Sequence, residues 1–141
     1  RLDGVDLSEG MLARAQRRGL YDALRADELT AYLRAHPGAY DLIVAADVLC
    51  YFGELAAALE AARGALRPAG VLAFSVERWA SPQAGRGYTL QAHGRYAHDE
   101  AAVMQALKNS GFAPTQATRG ALRLESGKPV EGVIVVARKT A

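Results

Sequence analysis

Apolar residues along the chain follow two alternating patterns. Short apolar runs predict strands at residues 2–7, 21–26, 40–46, 71–76, 112–124 and 130–138. Apolar residues at helical spacing predict helices from Ser8 to Gly19, from about residue 28 to 35, from 53 to near 66 and from 97 to 110. Residues 80–98 are rich in glycine and polar side chains and predict an irregular segment.

This order of elements predicts an α/β fold in one domain. Alternation of strands and helices favours a mostly parallel sheet, and residues 126–129 (Ser-Gly-Lys-Pro) predict an antiparallel hairpin between the last two strands. The run at 40–46 (Tyr-Asp-Leu-Ile-Val-Ala-Ala) is apolar on both faces, as in a central parallel strand that is covered on both sides.

Composition narrows the function classes. Of 141 residues, 50% are hydrophobic, and 17 Lys+Arg against 15 Asp+Glu leave a net charge of +2, which argues against disorder and against a basic nucleic-acid interface. One cysteine, Cys50, excludes an internal disulfide and favours a reducing, cytoplasmic compartment. No apolar run approaches the roughly 20 residues of a membrane span, so we expect no membrane partner. No His/Cys cluster has metal-ligand spacing, and we predict no metal site.

Three aspartates follow three of the predicted strands. Asp6 ends the first strand, Asp27 follows the second, and Asp47 follows the run at 40–46. Parallel sheets bind ligands in the crevice at the carboxyl ends of their strands, where a carboxylate accepts both hydroxyls of a ribose. Each aspartate has a purely structural alternative, because each also stands where a side chain caps or supports the start of a helix. Taken singly, these residues leave both interpretations open.

Together with two further motifs, the aspartates resemble those of the class I S-adenosylmethionine-dependent methyltransferases. Residues 41–43 (Asp-Leu-Ile) match the motif of that family's fourth strand, and residues 66–70 (Leu-Arg-Pro-Ala-Gly) match the turn before its fifth. The resemblance implies a Rossmann-like sheet and S-adenosylmethionine as cofactor, with S-adenosylhomocysteine as product. It also implies cofactor roles: Asp6 for the ribose, Leu7 and Met11 beside the adenine, Ala26 and Asp27 at the adenine edge, and Ala46 where the ligand approaches the backbone.

The resemblance starts at the family's second strand. The family's first strand and its glycine-rich loop have no counterpart, and no G-x-G-x-G occurs in the sequence. Residues 1–141 are therefore predicted to be a partial methyltransferase domain that lacks the first, central strand. The opening Arg1 agrees with a sequence that is part of something longer, and either the parent protein or another chain would fill the gap.

A finer likeness lies in residues 46–53, 90–98 and 122–132, which resemble bacterial methyltransferases that often carry N-terminal tetratricopeptide repeats. That resemblance implies a bacterial, cytoplasmic protein with a repeat domain as a partner within the parent chain. The substrates of that group are poorly defined. The methyl acceptor is expected to be a small molecule.

Candidate groups on the acceptor side come from the ends of strands and from the irregular segment. Asp47 and His98 are the candidate catalytic residues, and His93 is a second candidate base near neutral pH. Tyr51, Trp79, Tyr96 and Arg95 are candidate substrate contacts, with Arg78 and Arg86 as further cations. The structural alternatives are helix capping for Asp47, packing at a helix start for His98, and core or surface positions for the rest. Cys50 has no evident base beside it and is expected to be a buried small residue.

Two alternatives to the enzyme remain at this point. One is a methyltransferase-like module that binds or interacts without catalysis. The other is a nucleotide-binding oxidoreductase domain, which would also use Asp6 but requires a phosphate-binding loop and a parallel final strand. The predicted terminal hairpin argues against the second alternative.

Overall fold

The computed structural model describes all residues, 1–141, and contains four α-helices and eight strands. The strands are β1 (Asp3–Asp6), β2 (Ala23–Ala26), β3 (Tyr40–Ala45), β4 (Leu66–Arg78), β5 (Tyr88–Leu90), β6 (Tyr96–His98), β7 (Phe112–Glu125) and β8 (Lys128–Lys139). The helices are α1 (Glu9–Arg18), α2 (Leu29–Arg34), α3 (Ala56–Ala65) and α4 (Glu100–Asn109), and a 3₁₀ turn spans Leu49–Tyr51.

The strands form two sheets. β1 and β2 make a parallel pair, in which Asp6 lies opposite Ala26. The larger sheet has the order β5-β6-β4-β8-β7, with β3 parallel to β4. β6 is also parallel to β4, whereas β8 is antiparallel to both β4 and β7. The predicted α/β architecture with an antiparallel C-terminal hairpin is confirmed.

Local sequence signals explain where α1 begins and ends. The Ser8 hydroxyl accepts a hydrogen bond from the backbone N–H of Met11 at 3.3 Å, which caps the helix. Gly19 then adopts a left-handed conformation (φ 63°), which glycine tolerates without steric cost, and ends the helix as predicted.

The core lies on one face of the larger sheet, beneath α2, α3 and α4. Leu72, Phe74 and Val76 alternate along β4 and point to this face, where each is at most 2% exposed. Small alanines let α3 lie close to the sheet, and Leu107 of α4 is fully buried. None of the four helices has the length and apolarity needed to cross a lipid bilayer.

The opposite face of the sheet is open. Leu42 and Val44 of β3 are 55% and 65% exposed, and Ile134 of β8 is 51% exposed. The expectation that the run at 40–46 is covered on both faces is therefore wrong for one of them, because no element of residues 1–141 packs there. β1 pairs only with β2, and β3 pairs only with β4, so each also has an unpaired edge.

Three further expectations are corrected by the structure. Residues 80–98 are not wholly irregular, since β5 and β6 form an antiparallel pair within them. α4 begins at Glu100 rather than at residue 97, and the Asp99 carboxylate caps it by accepting from the N–H of Ala102. The turn at 66–70 lies within a longer strand β4 as a bulge opposite β3, with Ala69 at φ 60°.

Candidate active site

The predicted cofactor residues Asp6 and Asp27 lie at the carboxyl ends of the paired strands β1 and β2. Both strands run parallel, and Asp6 ends β1 whereas Asp27 directly follows β2. Leu7 and Met11 are 73% and 51% exposed at the same end of β1, and Ala26 is also exposed. The structure thus brings two carboxylates and open apolar side chains to the carboxyl ends of parallel strands, which is where such sheets bind ligands.

Asp6 serves the local turn with one oxygen only. Its Oδ1 accepts a hydrogen bond from the N–H of Ser8 at 2.7 Å, and Ser8 itself caps α1. The alternative in which Asp6 supports the start of a helix is therefore correct for Oδ1. Its Oδ2 accepts no hydrogen bond within the chain and remains available to a ligand.

The structural alternative, in which Asp27 caps α2, is wrong, because Glu28 is the cap. The Glu28 carboxylate accepts from the N–H groups of Thr30 and Ala31 at 2.9 and 2.8 Å. Hydrogen bonding to Thr30 lowers the pKa of Glu28 below its ordinary value. Asp27 is exposed, accepts only from the N–H of Glu28 at 2.8 Å, and keeps its second oxygen open.

Asp47 occupies an unusual position just after β3. Its backbone is left-handed (φ 53°), a conformation that aspartate adopts more readily than most residues. Its N–H donates to Ser75 Oγ at 2.9 Å, and its carboxylate accepts from Arg123 at 3.0 Å. Asp47 caps no helix, and Ala46 before it is exposed. The predicted capping alternative for Asp47 is therefore wrong.

His98 is buried. It ends β6 rather than starting a helix, is 2% exposed, and its Nε2 lies 3.1 Å from the carbonyl oxygen of Gly53. Burial lowers the pKa of His98 below its ordinary value, against the opposing effect of the hydrogen bond to Gly53, so the neutral ring donates from Nε2. Its Nδ1 has no hydrogen-bond partner. This placement favours the packing role of His98 over that of a base.

The aromatic candidates lie on neighbouring elements and differ in exposure. Tyr51 is 65% exposed, Trp79 is half-buried, and Tyr96 packs edge-on against Tyr88 with ring centroids 5.6 Å apart. Cys50 is 2% exposed, and burial raises the pKa of its thiol, as expected for a small residue with a structural role.

Glu77, which sequence analysis missed, organises a charged network on the open face of the sheet. It lies near the carboxyl end of β4, is 1% exposed, and accepts hydrogen bonds from Arg123 and, at 2.7 Å, from Gln91 Nε2. Arg95, a predicted substrate contact, lies 3.8 Å from Glu77 and donates two hydrogen bonds to Glu125. The sequence signal that could have indicated this role is the position of Glu77 itself, a charged residue directly after the apolar run 71–76.

A small cavity adjoins this network on the same face. Its volume is about 220 Å³, and Asp47 and Ser75 form its polar part. The apolar part is lined by Val44, Ala73, Leu122 and Ile134, among others. The predicted residues Ala46 and Asp47 therefore meet at the cavity, whereas Tyr51, Trp79, Tyr96 and His98 do not line it.

Comparison with known proteins identifies the class. The profile of the methyltransferase domain family matches residues 1–72 of the 141 residues. The chain belongs to the methyltransferase domain family. The match covers β1 to the first half of β4, and so includes Asp6, Asp27 and Asp47. No curated protein sequence matches the chain.

Solved structures agree with the fold of this methyltransferase domain. It is similar to a SAM-dependent methyltransferase from Methanosarcina mazei (15% identity, TM-score 0.74, 98% of this chain and 81% of that one). It is also similar to the 1,6-didemethyltoxoflavin-N1-methyltransferase of Burkholderia thailandensis (21%, TM-score 0.76, 100% and 62%). The N-methyltransferase NodS of Bradyrhizobium japonicum is a third (21%, TM-score 0.74, 100% and 67%).

The predicted methyltransferase class is confirmed, and the chain shares the Rossmann-like fold of neighbours that are named as SAM-dependent methyltransferases. The antiparallel β8 disagrees with the oxidoreductase alternative, which required a parallel final strand.

Proposed function

We propose that this methyltransferase domain binds S-adenosylmethionine along the carboxyl ends of β1, β2 and β3 and serves methyl transfer to a small-molecule acceptor. The observation that carries the proposal is the pair of aspartates, Asp6 and Asp27, at the carboxyl ends of two parallel strands. Each aspartate has one carboxylate oxygen that accepts no hydrogen bond within the chain. A nucleoside matches these groups, because its ribose hydroxyls and amine donate to carboxylates and its flat apolar ring packs against apolar side chains.

Each residue at the edge has a distinct part in the proposed cofactor site. The open oxygen of Asp6 accepts from the ribose hydroxyls, and Leu7 and Met11 present apolar surface to the adenine. Asp27 accepts from the exocyclic amine, and Ala26 leaves room for the ring beside the backbone. The bound cofactor supplies a methyl group on a positively charged sulfur.

Methyl transfer requires mainly that the acceptor be held in line with the methyl group. Asp47 follows the carboxyl end of β3 and lines the cavity on the open face, so we assign it to hold the acceptor. A cavity of about 220 Å³ is below the usual range for drug-sized ligands, which favours a small acceptor or a small part of one. The Burkholderia neighbour, whose structure contains bound 1,6-didemethyltoxoflavin, supports a small-molecule acceptor.

We also propose that residues 1–141 are part of a larger sheet, as the sequence predicted. β1 and β3 each have one unpaired edge, and one further strand between them would pair with both. Unpaired backbone groups cost on the order of 1–3 kcal/mol each when they are buried, so such a strand would stabilise both edges. A cytoplasmic location, a bacterial source and an N-terminal repeat domain stay predictions from sequence.

The experiment is calorimetric titration of S-adenosylhomocysteine into the full-length protein and two variants. Asp6→Ala should weaken binding by at least about tenfold, because the charge-assisted hydrogen bonds to the ribose are lost. Asp6→Asn keeps an oxygen for Ser8 and separates loss of the ligand contact from damage to the turn. Asp41→Ala is the control, since that carboxylate lies at the opposite end of β3 with its side chain 79% exposed.

Each outcome has a definite meaning. Absence of any heat with the wild-type protein would exclude the cofactor site and favour a module without catalysis. Normal affinity in both Asp6 variants would exclude the ribose assignment while leaving cofactor binding in place.

A further inference from the structure

The charged network on the open face contains more negative than positive side chains. Its carboxylates are those of Asp47, Glu77 and Glu125, and its guanidinium groups are those of Arg95 and Arg123. The three carboxylates thus outnumber the two guanidinium groups, and the His93 ring nitrogen Nε2 lies 3.6 Å from Glu77 at the far side of the network from Asp47. The network lies beside the cavity because Asp47 belongs to both.

Both arginines are already engaged by carboxylates. Arg123 donates to Asp47 at 3.0 Å, to Glu77, and to Glu125 at 3.3 Å. Burial opposes the charge of Arg123, but the hydrogen bonds and charges of Glu77 and Asp47 outweigh it and raise the pKa of Arg123. Arg95 donates two bonds to Glu125, at 2.8 and 3.2 Å. An anionic acceptor would have to displace these partners before it could pair with a guanidinium.

Two of the three carboxylates in the network are more exposed than either arginine, whereas Glu77 is buried. The side chain of Asp47 is 45% exposed and that of Glu125 is 34% exposed, against 20% and 22% for Arg95 and Arg123. The cavity is lined by two polar residues, Asp47 and Ser75, and of these only Asp47 carries a charge. A carboxylate that already accepts one bond from Arg123 still has lone pairs for a second donor.

We infer that the methyl acceptor is an amine whose apolar part occupies the cavity and whose nitrogen is bound by Asp47. This inference rests on the proposed function, since it concerns the acceptor of the same reaction. The amine binds as an ammonium ion and loses one proton to water to become a nucleophile. Its nitrogen lone pair then forms a bond to the methyl carbon, the carbon–sulfur bond breaks, and its electron pair stays on sulfur in neutral S-adenosylhomocysteine. The product is the methylated ammonium ion.

The test uses three probes that share one apolar body and differ in the polar group: 2-phenylethylamine, 3-phenylpropionate and 2-phenylethanol. Each is titrated into the full-length protein saturated with S-adenosylhomocysteine. The amine should bind at least about tenfold more tightly than the carboxylate, because the carboxylate meets like charge at Asp47. Asp47→Asn should weaken amine binding about tenfold and leave the alcohol unchanged.

Two further variants serve as controls. Asp47→Glu retains the charge and should retain the preference for the amine, which a purely structural role for Asp47 does not predict. Asp41→Asn removes an exposed carboxylate at the far end of β3 and should change no affinity. Stronger binding of the carboxylate, binding of none of the three probes, or unchanged amine affinity in Asp47→Asn would overturn the inference. Failure of S-adenosylhomocysteine itself to bind would instead overturn the proposed function.

Discussion

The buried carboxylate of Glu77 offers the sharpest test of how the open face is stabilised. Its side chain is 2% exposed and pairs with Arg123, with Arg95 at 3.8 Å and with Gln91 at 2.7 Å. Glu77→Gln keeps the shape of the side chain but removes its charge. The change therefore isolates the electrostatic contribution from the packing contribution.

The expected loss follows from the geometry. A charge pair about 4 Å apart interacts by about 4 kcal/mol at an effective dielectric constant near 20, and removal of one partner of a buried pair costs about 3–5 kcal/mol when the other is stranded. Arg123 is not stranded here, because Asp47 and Glu125 still pair with it. The substitution also relieves repulsion among the three carboxylates. We therefore expect Glu77→Gln to lower the free energy of unfolding by about 2 kcal/mol.

Urea denaturation, monitored by circular dichroism, measures this decrease in the free energy of unfolding. Asp41→Asn is the matched control, because its exposed bridge to Arg67 should be worth less than about 1 kcal/mol. A double-mutant cycle with Arg123→Met should give a coupling energy of about 1–2 kcal/mol between Glu77 and Arg123. A loss below about 0.5 kcal/mol in Glu77→Gln, or a coupling energy near zero, would refute the reasoning.

Three further predictions concern stability. Gly132→Ala should destabilise the protein by about 2 kcal/mol in urea denaturation, since the added Cβ would lie 2.7 Å from the backbone oxygen of Val76; an unchanged midpoint would contradict this. Leu107→Ala, at a side chain with 0% exposure, should cost about 3 kcal/mol by thermal denaturation, whereas Leu124→Ala, at 72% exposure, should cost less than about 0.5 kcal/mol. Burial lowers the pKa of His98 in the folded protein below its ordinary value of 6.5, so the unfolded chain binds the proton more tightly. The contribution of neutral His98 to the free energy of unfolding is therefore fully present above pH 6.5. It is lost as the pH falls below 6.5, by at most ~1.4 kcal/mol per pH unit. Denaturation between about pH 5 and 7.5 should show that slope, and it should flatten in His98→Asn.

Local signals account for much of the fold that the sequence predicted. Ser8 and Gly19 mark the ends of α1 because capping and the left-handed conformation depend on only a few neighbouring residues. Ser126 and Gly127, with φ of 49° and 76°, form the predicted hairpin turn for the same reason. The carboxyl-end positions of Asp6 and Asp27 likewise follow from the order of strands and helices.

Short elements and caps were harder to predict. β5 and β6 have three residues each and depend on pairing with each other and with β4, so no run of apolar residues marks them. His98 therefore looked like the start of a helix, although it ends a strand. Glu28 caps α2 in place of Asp27, the residue for which the sequence offered capping as an alternative, because two adjacent acids compete for the same backbone donors.

By itself, the sequence determined the order of the longer strands and helices, the terminal hairpin, the methyltransferase class and the strand ends at which Asp6 and Asp27 lie. These properties depend on local periodicity, turn chemistry and motif order, which are all written along the chain. Only the tertiary structure decided that His98 is buried, that Asp47 joins a charged network, and that Leu42 and Val44 face an open side of the sheet. Arg123 and Glu77 are 46 residues apart, and contacts at that separation depend on which strands become neighbours and on which face each side chain occupies.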